Sequence, residues 1–207
     1  MTDAVAAAEG ARFAPPDERI GPGDAAHYVP GQPDMWVFVL VEALIFASYF
    51  VIYMLHRVQD PALYLRSQER LNAGLGVTNT LILLVSSWFM ARCVQSSRER
   101  RYDVAFRQVL FTMVLGLLFI GFKLIDWSRM VSEGLELSTN EFFSFYYFLT
   151  AIHVLHVLIG FVFLIVAAYQ LRSPLRRSQE IVETCATYWH MVDFLWVMIF
   201  ALLYVIR

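Results

Sequence analysis

Five long apolar stretches, each parted from the next by a short polar connection, dominate the chain: Met35–Leu55, Leu71–Val94, Val104–Trp127, Phe142–Leu171 and Thr187–Ile206. A bilayer core of about 30 Å needs roughly 20 mostly apolar helical residues per crossing, whereas a barrel strand needs only about 9–11. All five runs have the helical length. A helix also pairs its backbone groups internally, which hydrocarbon demands. The pattern therefore predicts an all-α integral membrane protein built as a five-transmembrane-helix bundle. The connections read HRVQDPALYLRSQER, QSSRERRYD, SRMVSEGLELSTNE and RSPLRRSQEIVE. No internal repeat or low-complexity tract breaks the order, so residues 35–207 are expected to form one membrane domain. Residues 1–34 are polar and rich in Ala, Pro and Gly, with no apolar core of signal-peptide type. They read as a flexible polar tail rather than a leader.

Composition agrees with the pattern. The 207 residues are 58% hydrophobic, above the roughly 45–50% of ordinary soluble domains, and the mean hydropathy is +0.55. A net charge of −2 gives no basis for a nucleic-acid partner. Orientation follows from where the 16 basic residues fall. Ten lie on the N-terminal side (Arg12, Arg19, Arg92, Arg98, Arg100, Arg101, Arg107, Arg172, Arg176 and Arg177) and six on the other (Arg57, Arg66, Arg70, Lys123, Arg129 and Arg207). Basic loops stay inside, so the N-terminus is expected in the cytoplasm and the C-terminus outside. Cys93 and Cys185 are then expected as free thiols near a reducing compartment.

Polar side chains inside the spans are the candidate functional groups, because each is costly in hydrocarbon and needs a partner. Glu42 is the single ionisable residue of the first span. It is read either as a proton-handling carboxyl or as a protonated acid donating one hydrogen bond across the bundle. Asn72, Gly76, Asn79 and Ser86 share one face of the second span and suit close helix packing. Lys123 and Asp126 are three apart and can pair, or the lysine can snorkel outward beside Trp127. In TAIHVLHVLIG, His153 and His156 share a face with Thr150 and Gly160 nearby. In TYWHMVDFLW, His190 and Asp193 are three apart, a pairing that would fix the imidazole tautomer. Three histidines with Glu42 could be drawn as a metal site, but the Glu-x-x-His signature of di-iron bundles is absent. So are Walker A, G-x-S-x-G, H-E-x-x-H and dinucleotide-binding motifs.

Taken together, several stretches resemble subunit III of the haem-copper oxidase superfamily. TYWHMVDFLWVMIFALLYV is similar to that family's YWHFVDVVW signature, and TAIHVLHVLIGFVFLIV to its TGFHGLHVIIG signature. VTNTLILLVSS resembles its LNT…LL.SS segment, aligning Asn79 and Thr80. Glu42 in FVLVEALIF falls at the family's membrane carboxyl, and Asp126-Trp127 where relatives carry Glu-Tyr. The resemblance runs from about Met35 to Ile206. Mitochondrial-type members have seven spans against the five read here, a number seen in bacterial quinol oxidases and in the protein associated with nitric oxide reductase. VPGQPDMWVFVLVEALIF, and Lys123 three before the acidic position, look most like the nitric oxide reductase-associated branch.

The resemblance implies a non-catalytic accessory subunit, multi-pass in a bacterial plasma membrane. It would contact membrane lipids and stabilise a haem-bearing catalytic subunit of an oxidase or nitric oxide reductase, supporting that subunit's proton uptake. It further implies that this chain binds no cofactor, the haem and the copper or non-haem iron residing in the partner. Glu42, Asn79, Lys123, Asp126, His153, His156, His190 and Asp193 would then be a buried polar network, with the HVLH imidazoles hydrogen-bonded inside the bundle. Two other readings of the residues are a stand-alone b-type haem protein and a small proton-coupled transporter using Glu42.

Overall fold

A computed structural model describes residues 30–173 and 177–206; the expected tail up to residue 29 lies outside the described residues. The chain runs through α1 (Pro33–Gln59), α2 (Pro61–Gln68), α3 (Ala73–Arg98), α4 (Tyr102–Ser132), α5 (Glu141–Arg172) and α6 (Gln179–Phe200), and closes in a π-helical turn at Ala201–Val205. Among the described residues, five helices of 26 to 32 residues are long and apolar enough to cross a membrane. At 1.5 Å per residue even the shortest reaches about 39 Å, so the ends stand beyond the hydrocarbon.

Local chemistry sets these boundaries. Asp60, Asn72, Asn140 and Ser178 each cap a helix, accepting from the backbone N–H three residues on, which satisfies donors the first turn leaves open. Pro33 and Pro61 stand at the first helical position, where a missing N–H costs nothing. Gly134 takes φ +75° just past α4, and Leu135 N donates back to Met130 O at 2.9 Å, a glycine-dependent stop.

Two elements depart from the sequence expectation. The connection HRVQDPALYLRSQER contains α2, a helix too short and too polar to register as an apolar run. The last helix begins at Gln179 instead of Thr187. Its polar start reads as a loop, but Glu183 is buried there and accepts from Arg98 Nε at 2.9 Å, so the helix begins before the apolar run does.

The helix α6 sits at the centre, packed on α3 and α5, while α4 bridges α3 and α5 and α1 lies outside against α6. Burial follows that order: 56% of the apolar window of the last helix is buried but 6% of that of α1. With hydrocarbon on both sides of the comparison, packing and hydrogen bonds hold such a bundle rather than a hydrophobic drive. Trp189 shows how. Its ring lies so close to Gly160 of α5 and Gly116 of α4 that a Cβ there would stand 2.9 Å and 3.0 Å from ring carbons. Its Nε1 donates to Ser86 Oγ of α3 at 3.0 Å. One indole thus joins four helices. The expected small-residue stripe of α3 is present, with Gly76, Asn79 and Ser86 facing inward, and Asn72 serving as the cap.

Ahead of α1, Gly31 adopts φ +76° and donates to Glu183 Oε2 at 3.2 Å, while Gln32 N donates to Thr184 Oγ1 at 2.9 Å. Gly31 and Gln32, expected at the end of the tail, are therefore fixed to α6. Both cysteines are free and buried, Cys93 on α3 and Cys185 on α6.

Candidate functional site

Hydrogen bonding divides the eight expected polar residues instead of joining them in one network. The strongest group surrounds Lys123 on α4. Lys123 Nζ lies 3.3 Å from Asp126 Oδ2 and donates to the Tyr146 hydroxyl of α5 at 2.8 Å; that hydroxyl donates onward to Asp126 Oδ2 at 2.6 Å. Arg129 Nη2 approaches Asp126 Oδ1 at 3.5 Å, and the Tyr204 hydroxyl in the π-helical turn donates to Oδ2 at 3.5 Å. The ammonium also stands 4.5 Å from the Tyr146 ring centroid and 5.5 Å from that of Trp196, within cation–π range. Lys123 is 1% exposed, so it does not snorkel. A buried pair survives only where geometry and extra hydrogen bonds offset the lost hydration, and Tyr146 supplies those bonds.

Glu42 and His156 form the second group. Glu42 Oε2 of α1 lies 3.3 Å from His156 Nε2 of α5, while His156 Nδ1 reaches the Ile152 carbonyl at 2.9 Å. With one ring nitrogen facing a carbonyl and the other a carboxyl, the imidazole is held at both ends. Phe46 packs edge-on against it at 5.5 Å between centroids.

His153 corrects an expectation. Three residues on one helix are about 60° apart around its axis, enough to point the two histidines at different neighbours. His153 turns inward between the Phe119 ring at 5.5 Å and the Trp196 ring at 5.2 Å. Neither of its nitrogens has a hydrogen-bond partner among the described residues; it packs as an aromatic ring. The His190–Asp193 pairing is a second correction. His190 Nδ1 meets Ser87 Oγ of α3 at 2.7 Å, and the Asp193 carboxyl lies beside that same Ser87 hydroxyl, so the serine stands where a direct His190–Asp193 pair was expected. Asp193 is turned into the core and is 4% exposed. Asn79, beside the Thr80 hydroxyl that accepts from Trp196 Nε1 at 3.0 Å, is buried, and its Oδ1 has no hydrogen-bond partner among the described residues.

Several contributors carry no advance signal. Tyr146, Tyr204 and Trp196 look like ordinary aromatic residues of apolar runs. Arg57 Nη1 and Gln68 Nε2 hold the Ile206 carbonyl at 2.7 Å and 2.9 Å, and Gln68 also reaches the Leu203 carbonyl at 3.1 Å. Both carbonyls lie in the last turn of the final helix, where backbone acceptors have no partner further along the helix. Gln68 matters because α2, far away in the chain, packs against the end of the last helix.

Chemically, these groups tie helices together. Lys123, Asp126, Tyr146 and Tyr204 join α4, α5 and the end of α6; Glu42 and His156 join α1 to α5; Ser87 and His190 join α3 to α6. Among the described residues no three His, Cys, Asp or Glu side chains gather into a group able to hold a metal ion.

The comparisons with known proteins agree with this architecture. The family model described as cytochrome c oxidase subunit III matches residues 31–206. The chain is 31% identical over 195 residues to the cytochrome c oxidase subunit 3 of Synechocystis sp., covering 89% of this chain and 81% of that one. It is 23% identical over 172 residues to the cytochrome bo(3) ubiquinol oxidase subunit 3 of Buchnera aphidicola, covering 82% and 83%. A haem-copper oxidase subunit I+III of Aeropyrum pernix matches at 26% over 182 residues, which is 83% of this chain and 22% of that protein. The match spans all five packed helices and the central helix that carries YWH-x-V-D, and this chain belongs to the cytochrome c oxidase subunit III family.

Proposed function

We propose that the chain is a non-catalytic accessory subunit of a haem-copper oxidase-type respiratory complex, spanning a bacterial plasma membrane and stabilising a haem-bearing catalytic subunit. The family match over residues 31–206 carries this reading, and a relative described as subunit I+III supports a subunit I partner. The interior supports it as well: the paired acids, cations and imidazoles tie helix to helix, while the outward faces are apolar and suited to lipid or another subunit. Copper or non-haem iron accompanying the haem belongs to the partner. Support of proton uptake is part of the proposal, as is a cytoplasmic N-terminus, which rests on the distribution of basic residues. The finer proposal is a nitric oxide reductase-type partner, supported by VPGQPDMWVFVLVEALIF and by Lys123 preceding Asp126.

Mild-detergent purification through a tag on this chain tests the reading. A co-purifying haem subunit is expected, with the Soret band lost when that subunit is washed away. A Soret band persisting on the isolated chain overturns it in favour of a b-type haem protein. Proton flux through the isolated chain in liposomes does the same in favour of a transporter. Nitric oxide consumption by the intact complex is expected; oxygen consumption alone removes the finer proposal and leaves the coarser one standing.

A further inference from the structure

Arginine supplies fifteen of the 16 basic residues, and Lys123 is the one lysine. A guanidinium keeps its proton in proteins, whereas an ammonium can give one up. The chain keeps its single lysine inside the bundle, 1% exposed, at the head of a row of hydroxyl and carboxyl groups. Lys123 Nζ donates to the Tyr146 hydroxyl at 2.8 Å, that hydroxyl donates to Asp126 Oδ2 at 2.6 Å, and the same oxygen meets the Tyr204 hydroxyl at 3.5 Å. At its inner end the row stops. Beyond Lys123 lie the Trp196 ring, 5.5 Å from the ammonium, and His153, whose nitrogens make no hydrogen bond among the described residues.

The other end meets a cavity of about 110 Å³ where α2, the start of α3 and the last turn come together, lined in part by Gln68, Glu69, Ala73 and Tyr204. One water needs about 10–15 Å³, so several fit. Gln68 Oε1 is buried with no hydrogen-bond partner among the described residues, and a water in the cavity would supply one. Glu69 and Ala73 are exposed, so the cavity reaches the aqueous phase. Depth agrees with this. Helix α4 has 31 residues and outruns a hydrocarbon core of about 30 Å by about 16 Å. With the excess shared between its ends, Asp126 stands about at the boundary and Lys123 about one turn inside. Gly76 sets the position of Tyr204: a Cβ there would lie 3.0 Å from two of its ring carbons, so the ring packs on α3 between the cavity and Asp126.

We propose that Lys123, Tyr146, Asp126 and Tyr204 form a proton-exchange site whose ligand is the hydrated proton and whose entrance is this cavity. A proton leaving Lys123 Nζ passes to the Tyr146 oxygen as Tyr146 gives its own to Asp126 Oδ2. Asp126 hands one to the Tyr204 oxygen, and Tyr204 gives its own to cavity water. Each relay group ends as it began, and the reverse path returns a proton from water to Lys123. The bond from Tyr204 is long, which lets that hydroxyl turn between Asp126 and the cavity. Arg129, with Nη2 3.5 Å from Asp126 Oδ1, also faces the row and keeps its proton throughout. Because the row ends at Lys123, the site exchanges protons with one face of the membrane and conducts none across it.

The full chain with isotope-labelled lysine, reconstituted in lipid bilayers, tests this by solid-state NMR, since one lysine gives one side-chain signal. On transfer to D2O, deuterium should replace the Lys123 Nζ protons in wild type. Tyr204→Phe keeps the ring but removes the relay, and should slow that replacement at least tenfold. Ala73→Phe fills the cavity from an exposed position at the start of α3 and should slow it as much. No replacement in wild type overturns the proposal, because the cluster is then sealed. An unchanged or faster rate in both variants also overturns it, because exchange then proceeds by opening of the bundle. Slowing by Arg129→Gln in place of Tyr204→Phe puts the entrance along Arg129 and overturns it too. Co-purification of a haem subunit is independent of every one of these results.

Discussion

Glu42 has a specific partner, and that decides what its substitution should do. Its Oε2 lies 3.3 Å from His156 Nε2, a polar contact that an amide can keep and a methyl cannot. Glu42→Gln is therefore expected to melt within about 0.5 kcal/mol of wild type in detergent. Glu42→Ala should cost about 1–3 kcal/mol, because it leaves a partly buried imidazole nitrogen unsatisfied. Equal damage from Gln and Ala would show that the carboxylate charge, not the polar contact, matters at this position. The His153 neighbourhood differs in kind: rings surround it, so its shape counts for more than its nitrogens.

Between helices, the closest approach is governed by Trp189. A Cβ at Gly160 would lie 2.9 Å from two of its ring carbons, and that ring is pinned by Gly116 and by its bond to Ser86. Gly160→Ala should therefore destabilise the bundle by about 1–3 kcal/mol through overpacking, despite alanine's better helix propensity. Gly121, beside which a Cβ meets nothing within 4 Å, is the control: Gly121→Ala should be neutral or slightly stabilising in the same thermal melts. The apolar runs made five helices legible in advance, because hydrocarbon imposes a length on every crossing. The α2 helix, the early start of α6 and the π-helical turn were not legible. Their existence depends on contacts with distant residues: Tyr64 packing at 5.2 Å from Tyr53, Arg98 meeting Glu183, and Gln68 reaching Leu203. The same holds for the candidate site. Which residues are costly in a membrane could be read from their type and depth, and Lys123 beside Asp126 from their spacing. Which of them touch depends on helix rotation, so Tyr146, Tyr204 and the division of His153 from His156 could not be read.

At the scale of the whole chain, the polar ties are unevenly placed. The α4–α5–α6 end is locked by Lys123, Asp126, Tyr146 and Tyr204, and the adjoining terminus by Arg57 and Gln68. Apart from Arg57 near its end, which reaches the Ile206 carbonyl, α1 is held largely by side-chain contacts, with Phe38 against Tyr188 at 6.0 Å, Tyr49 against Phe148 at 5.1 Å and Glu42 beside His156. The division gives a rigid frame with one outer helix, fastened at its ends, whose apolar face is left open to lipid or a neighbour. It also predicts how damage should spread. Lys123→Met leaves Asp126 buried without its closest cation, which should cost about 3–5 kcal/mol. Lys123→Met with Asp126→Leu removes both charges and should recover most of that loss, since an apolar pair of similar volume suits the same space. In the assembled complex the single variant should shed this subunit at a lower temperature, while the haem spectrum and initial turnover of the remaining catalytic subunit persist. Immediate loss of turnover in a single-variant complex that is still intact would instead make Lys123 a participant in the partner's chemistry, and the structural role of the cluster would fail.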